Sequence, residues 1–166
     1  MKELRRNSER YAVAYRWEES LEKLKDVLKV HPNYWVIHWT LGEVYTQMGM
    51  HEEGIAAFQK TMDLAGEGAS WEVLPWLGWA YGVAGRTDEA RQVLQQLEAQ
   101  SEQCYVPAYF FAQVYAGLGE NDLALDYLEK AYEEHDLRLA WRDTSIDSLR
   151  EEPRFIELGR KVGFIK

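Results

Sequence analysis

The chain has 166 residues, of which 46% are hydrophobic, 28% charged and 13% aromatic, and its formal net charge is −9. This composition is typical of a globular domain, and its aromatic content excludes a disordered chain. No apolar run reaches the roughly 20 residues that span a bilayer, the charged first ten residues do not resemble a signal peptide, and the single Cys104 excludes an internal disulfide. We therefore expect a cytoplasmic protein, or one piece of a longer chain.

The acidic charge is concentrated in the middle of the chain. Residues 31–135 hold sixteen Asp and Glu against four Lys and Arg, whereas the two ends are slightly basic. Such a segment repels nucleic-acid phosphates and favours a basic partner. The alternative is that the acidic side chains only solvate exposed helix faces. We expect neither nucleic-acid nor membrane binding.

A pattern of small and aromatic residues recurs along the chain. Tyrosines lie 34, 36 and 34 residues apart, at Tyr11, Tyr45, Tyr81 and Tyr115. A small residue precedes each tyrosine by three positions, at Ser8, Gly42, Gly78 and Ala112. A glycine follows three of the tyrosines by four positions, at Gly49, Gly85 and Gly119. Further small residues stay in register at Ser20, Gly54, Ala90 and Ala124. The chain is therefore predicted to hold four copies of one unit, at residues 1–34, 35–70, 71–104 and 105–138.

Each copy is predicted to form a pair of helices. The first helix carries apolar or small residues at helical spacing, as at Leu74, Leu77, Gly78 and Tyr81. The glycine ends that helix because Gly readily adopts the left-handed conformation. Acidic residues open the second helix, where they face the positive end of the helix dipole. Between the second and third copies, the sequence of residues 65–70, Ala-Gly-Glu-Gly-Ala-Ser, predicts a longer and flexible linker.

The last segment, residues 139–166, fits no further copy. Its apolar residues alternate with charged ones, and the pattern predicts two short helices broken near Pro153. A stack of helix pairs has to cover its last apolar face. Residues 139–166 are therefore predicted to be a C-terminal capping segment.

The repeated pattern resembles the tetratricopeptide repeat family, a helix–turn–helix unit of about 34 residues. The best matches are Leu41-Gly42…Tyr45…Gly54…Phe58 and Leu77-Gly78…Tyr81…Ala90…Leu94. The chain departs from the family at the position that usually holds Trp, which is here Leu4, His38, Leu74 or Ala108. The resemblance implies an all-α fold, a right-handed superhelical solenoid of antiparallel helix pairs with C-terminal capping helices. It also implies a protein- or peptide-binding scaffold or regulatory domain without enzymatic activity. Residues 149–155 and 162–164 further resemble the end of repeat domains in bacterial regulatory proteins.

The family resemblance implies that the first helices of the copies line a concave groove. Helical periodicity then selects the side chains that face it, which we predict to be the partner-binding residues Val36, Trp39, Glu43, Glu72, Trp76, Trp79, Tyr109 and Gln113. Tryptophan and tyrosine dominate binding hot spots, although Trp76 or Trp79 could instead pack between copies. Relatives that bind acidic C-termini line this groove with basic residues, but here the matching later positions hold Thr40, Glu72 and Trp76.

These residues favour an apolar or aromatic peptide with basic character as the partner. The alternative is self-assembly, with the chain acting as the homo-oligomerisation domain of a larger signalling or transcription-regulatory protein.

No motif in the sequence indicates catalysis or cofactor binding. The histidines are His31, His38, His51 and His135, and no two of them have the i, i+4 spacing of a metal-binding helix. Cys104 follows Glu102, a negative setting that does not favour a nucleophilic thiolate. An enzyme would need convergent titratable groups in the groove, and only Glu43 and Glu72 are predicted there. We therefore expect no metal, no cofactor and no enzymatic activity.

Overall fold

The structure is a computed structural model that describes residues 2–136 and 143–164, with side chains described for residues 16–66, 72–136 and 143–164. The described residues form helices and turns, with no strand among them. The helices are α1 (Lys2–Val30), α2 (Trp35–Gln47), α3 (His51–Ala65), α4 (Glu67–Val83), α5 (Thr87–Ser101), α6 (Ala108–Gly117), α7 (Asn121–Glu133), a 3-10 helix (Thr144–Leu149) and α8 (Pro153–Val162). The chain divides into two compact units, Met1–Ser70 and Trp71–Lys166. The predicted all-helical architecture of consecutive helix pairs is confirmed.

The first copy does not form the predicted pair of helices. Helix α1 instead runs without a break through Lys2–Val30. The turn glycine of the other copies is replaced here by Tyr15, and no Gly or Pro occurs before Pro32. Because strong helix formers fill the stretch, nothing ends the helix within it. The side chains of residues 2–15 lie outside the described part of the chain, so the predicted roles of Ser8 and Tyr11 are not described.

In the first unit, an apolar stripe of α1 packs against α2. The stripe follows the helical repeat at Trp17, Leu21, Leu24 and Leu28 and meets Leu41 and Val44. Helices α2 and α3 then pack closely because Gly42 has no side chain. A Cβ atom at Gly42 would lie only 2.6 Å from the buried ring of Phe58. The small residue of the repeat thus has a packing role.

Glycines end the first helix of the second, third and fourth copies, as predicted. Gly49, Gly85 and Gly119 have φ values of 78°, 75° and 73°, in the left-handed region. This conformation terminates the helix and lets the chain reverse. The acidic residues predicted at the start of the second helices lie there as well, at Glu52, Glu53, Asp88, Glu89 and Asp122.

The flexible linker predicted for residues 65–70 is not present. Helix α3 extends to Ala65 and α4 begins at Glu67, so that Gly66 alone, with φ 71°, separates them. One left-handed residue is enough to redirect the chain, and residues 67–70 are free to form the first turn of α4. Trp71, the first residue of the predicted third copy, consequently lies inside α4.

In the second unit, α4 and α6 approach closely through two glycines. A Cβ atom at Gly82 would lie 2.4 Å from the backbone carbon of Gly117. A Cβ atom at Gly117 would lie 2.6 Å from the backbone oxygen of Trp79. Both glycines lie in the last turn of their helices, and neither has a positive φ. They bring the two backbones into contact.

The end of the chain packs on α6 and α7. The buried cluster joins Ala112, Leu125 and Leu128 of those helices to Ile146, Leu149, Phe155 and Leu158 of the 3-10 helix and α8. Pro153 is at the start of α8, where its missing N–H costs no helical hydrogen bond. Arg154 binds both Asp126 and Glu129 of α7, at 2.6 and 2.9 Å. Residues 139–142 of the predicted capping segment lie outside the described residues.

Candidate functional site

In the first unit, the predicted partner-binding residues lie on one side of α2. Val36, Trp39 and Glu43 follow each other at intervals of three and four residues, and all three are half-buried. Trp39 packs against Trp35 one turn earlier, with ring centroids 6.0 Å apart and planes tilted by 35°. The pair forms an aromatic surface that remains partly open to solvent.

In the second unit, α4 carries a second tryptophan pair. The Trp76 and Trp79 ring centroids are 5.9 Å apart and the planes are perpendicular, which is a favourable aromatic geometry. Trp76 is half-buried, and Glu72, one turn before it, is exposed. Trp79 supports the ring of Trp76 from the protein side.

Three of the predicted partner-binding residues are buried, so the expectation that they face an open groove is wrong. Trp79, Tyr109 and Gln113 are 5%, 9% and 1% exposed. Trp79 is covered because Gly117 lets α6 approach it. Tyr109 belongs to the buried cluster that includes residues of the 3-10 helix. Gln113 forms hydrogen bonds with Asp143 and Ser145, at the start of that helix. Partner contact stays a prediction for Val36, Trp39, Glu43, Glu72 and Trp76.

Gln113 is the centre of a buried polar cluster. Its Nε2 donates to Asp143 Oδ2 at 2.9 Å and to Ser145 Oγ at 3.1 Å. The backbone N–H and the hydroxyl of Ser145 donate to Asp143 Oδ1 at 2.7 and 2.6 Å. Arg150 Nη2 donates to the backbone oxygen of Asp143 at 3.2 Å. The cluster fixes the start of the 3-10 helix on α6, across about thirty residues of sequence.

Burial changes the protonation chemistry of this cluster. It raises the pKa of Asp143, and the hydrogen bonds from Ser145 offset only part of that increase. The nearby hydroxyl of Tyr109 has a pKa well above its ordinary value, first because it is buried and then because of the Asp143 charge. Sequence reasoning missed Asp143 and Ser145, because no local pattern predicts a contact over this separation.

Asp143→Asn is expected to remove a pH-dependent loss of stability. A carboxyl whose pKa is raised on folding stabilises most when protonated, and this contribution falls as the pH rises from 3.8, its ordinary value, through the raised value. The stability of the variant relative to the wild type should therefore rise with pH over this range. Urea unfolding of both proteins between acidic and neutral pH measures this difference, and a difference independent of pH would contradict it.

Within the described residues, no group of three or more His, Cys, Asp or Glu side chains is arranged to hold a metal ion. None of the described helices is both long and apolar enough to span a bilayer.

The fold and the site define a helical-repeat protein, with partly open aromatic pairs on the first helices of two of its copies. Two family models, both described as Tetratricopeptide repeat, match the chain, one at residues 74–96 and the other at residues 37–67 and 108–134. The chain therefore contains tetratricopeptide repeats, which generally mediate protein–protein interaction and scaffolding. These matches coincide with the pairs α2–α3, α4–α5 and α6–α7, and residues 1–34 lie outside them. Searches of curated proteins and of solved structures found no match.

Proposed function

We propose that the chain is a protein- or peptide-binding module, acting as a scaffold or regulatory domain, whose partner contacts Trp39 on α2 and Trp76 on α4. The observation that carries this proposal is the Trp76–Trp79 pair, in which a half-buried ring rests on a buried one. Tryptophans held in this way lose little conformational entropy on binding and are frequent hot spots.

The surroundings of the two tryptophans support a partner with apolar or aromatic residues and some positive charge. Glu72 lies one turn from Trp76, and Glu43 lies one turn from Trp39. The chain as a whole is acidic, with a net charge of −9. Acidic side chains next to an aromatic contact attract a basic peptide and accelerate its association. Rising salt concentration should therefore slow association.

Trp76→Ala is expected to weaken partner binding by about 30-fold, which corresponds to about 2 kcal/mol for a hot-spot tryptophan. A peptide library on a solid support, probed with the labelled full chain, supplies a ligand, and calorimetry with that peptide gives the affinity. Tyr132→Ala is the matched control in the same unit, because Tyr132 is a partly exposed aromatic residue on α7. Circular dichroism checks that both variants keep their helices.

Equal affinity of the Trp76→Ala and Tyr132→Ala variants would place the binding surface elsewhere. Trp39→Ala, with the exposed Tyr34→Ala as its control, tests the first unit in the same way. Light scattering separates the self-assembly alternative, because a homo-oligomerisation domain would show a molar mass that increases with concentration.

A further inference from the structure

A second surface combines aromatic rings with an acidic side chain, on helices other than those of the proposed binding site. Arg91 near the start of α5 forms an ion pair with Glu120, the residue before α7, so these two helix starts lie side by side. Glu98 lies seven residues after Arg91 along α5, and Tyr127 lies seven residues after Glu120 along α7. Each is therefore two helical turns, about 10.5 Å, beyond the ion pair. Tyr115 of α6 lies between these helices. We call Glu98, Tyr115 and Tyr127 together the Tyr127 groove.

Aromatic stacking builds the floor of the Tyr127 groove. The ring of Tyr127 is nearly parallel to that of Phe111, with centroids 5.0 Å apart, and to that of Tyr115, with centroids 5.4 Å apart. Phe111 is buried, whereas Tyr115 and Tyr127 are half-buried. Part of each tyrosine ring therefore remains in contact with solvent, held in place by the buried ring of Phe111.

The charges around the groove favour a cation. Glu98 is exposed and forms no ion pair within the described part of the chain, while Glu120 is already bound by Arg91. Burial raises the pKa of both tyrosine hydroxyls, and the negative charge of Glu98 raises both further. The Glu98 charge thus acts on both hydroxyl groups, which agrees with the position two turns along α5.

A lysine of the chain itself already lies over one of these rings. Lys130 Nζ is 5.9 Å from the centroid of the Tyr127 ring, near the limit of a cation–π contact. Its side chain is mostly exposed, and its nearest carboxylate oxygen, on Glu134, is 3.8 Å away. The ring thus attracts a positive charge, but a mostly exposed lysine at this distance leaves room for a closer cation.

We propose that the Tyr127 groove binds an arginine side chain of a partner protein, with the guanidinium stacked on Tyr127 and hydrogen-bonded to Glu98. A guanidinium group fits this arrangement because it is planar, stacks on aromatic rings and donates two parallel hydrogen bonds to a carboxylate. A lysine ammonium is a strongly hydrated point charge and satisfies only the electrostatic part. The surface uses α5, α6 and α7, so its test is independent of Trp39 and Trp76.

The probe is the peptide acetyl-Gly-Arg-Gly-amide, titrated into the full chain and followed by NMR at the ring protons of Tyr127. The citrulline peptide of the same shape is the neutral control, and the lysine peptide tests the preference for guanidinium. We expect millimolar binding of the arginine peptide, weaker binding of the lysine peptide and no saturable shift with citrulline.

Two variants with opposite expected effects keep the test independent of folding. Glu98→Gln should weaken binding of the arginine peptide about twofold to fivefold, the upper part of the range of an exposed ion pair. Lys130→Ala should strengthen it about twofold, because it removes the competing cation. Asp63→Asn on α3 makes the same charge change as Glu98→Gln at another exposed position and should have almost no effect.

Equal binding of the arginine and citrulline peptides would overturn the proposal, as would equal losses in Glu98→Gln and Asp63→Asn. Equal binding of the arginine and lysine peptides would overturn the assignment to guanidinium. Tyr127→Phe, which keeps the ring and removes the hydroxyl, should bind like the wild type, and a loss there would contradict stacking as the source of affinity.

Discussion

Replacing Phe155 by alanine is expected to destabilise the second unit by about 3–5 kcal/mol, the usual cost of emptying a buried phenylalanine site. Phe155 is 2% exposed and packs in the cluster that joins α8 and the 3-10 helix to α6 and α7. A domain has only about 5–15 kcal/mol of stability in total. The variant should therefore lose a large part of the free energy of unfolding of this unit.

Phe164→Ala is the matched control for Phe155→Ala. It also removes a phenylalanine side chain, two residues after the end of α8, but Phe164 is 58% exposed. Its cost should stay within about 0.5 kcal/mol, as for most surface substitutions. Urea unfolding gives the two free energies, and hydrogen exchange resolved to peptides assigns the loss to Trp71–Lys166. Similar costs for the two variants would show that the capping segment adds nothing to the stability of the repeats.

Gly82→Ala should reduce stability by about 1–3 kcal/mol, although alanine is the better helix former. Without tertiary contacts, this change inside a helix would stabilise the protein by about 0.5–1 kcal/mol. The added Cβ, however, would lie 2.4 Å from Gly117 C and 2.6 Å from Leu118 N. These are backbone atoms that cannot rotate away, so α4 and α6 have to separate.

The sign of the stability change in Gly82→Ala shows whether helix propensity or the clash of the added Cβ is larger. Ala99→Gly on the exposed side of α5 gives the size of the helix-propensity contribution in this chain, expected at about 1 kcal/mol. Thermal unfolding of both variants is the measurement. A higher melting temperature for Gly82→Ala would mean that the two helices adjust at little cost, and that the close approach does not limit the stability of the unit.

The site was only partly predictable from the sequence, and the reason is visible at Gln113. Helical periodicity predicted that Trp39 and Trp76 face a groove, and both are half-buried in the structure. It gave the same interpretation to Gln113, which follows the same spacing but is covered by Asp143 and Ser145. Periodicity describes which side of its own helix a residue occupies, and it contains no information on what a segment thirty residues away places there.

The local structure follows from the residue pattern alone: three helix pairs, the left-handed glycines at Gly49, Gly85 and Gly119, and the helix start at Pro153. These features depend on backbone conformation and on neighbours within one or two turns, so the residue pattern specifies them.

The packing of helices against each other, in contrast, sets which aromatic residues are buried, as for Trp79 beneath α6, and which distant side chains meet, as in the Tyr127 groove. The continuous helix α1 is a separate case. The repeat pattern predicted a break between two helices there, but the sequence contains no Gly or Pro that would end the helix. Burial and long-range contact depend on how closely helices approach, which is set jointly by side chains from several helices rather than by any one of them.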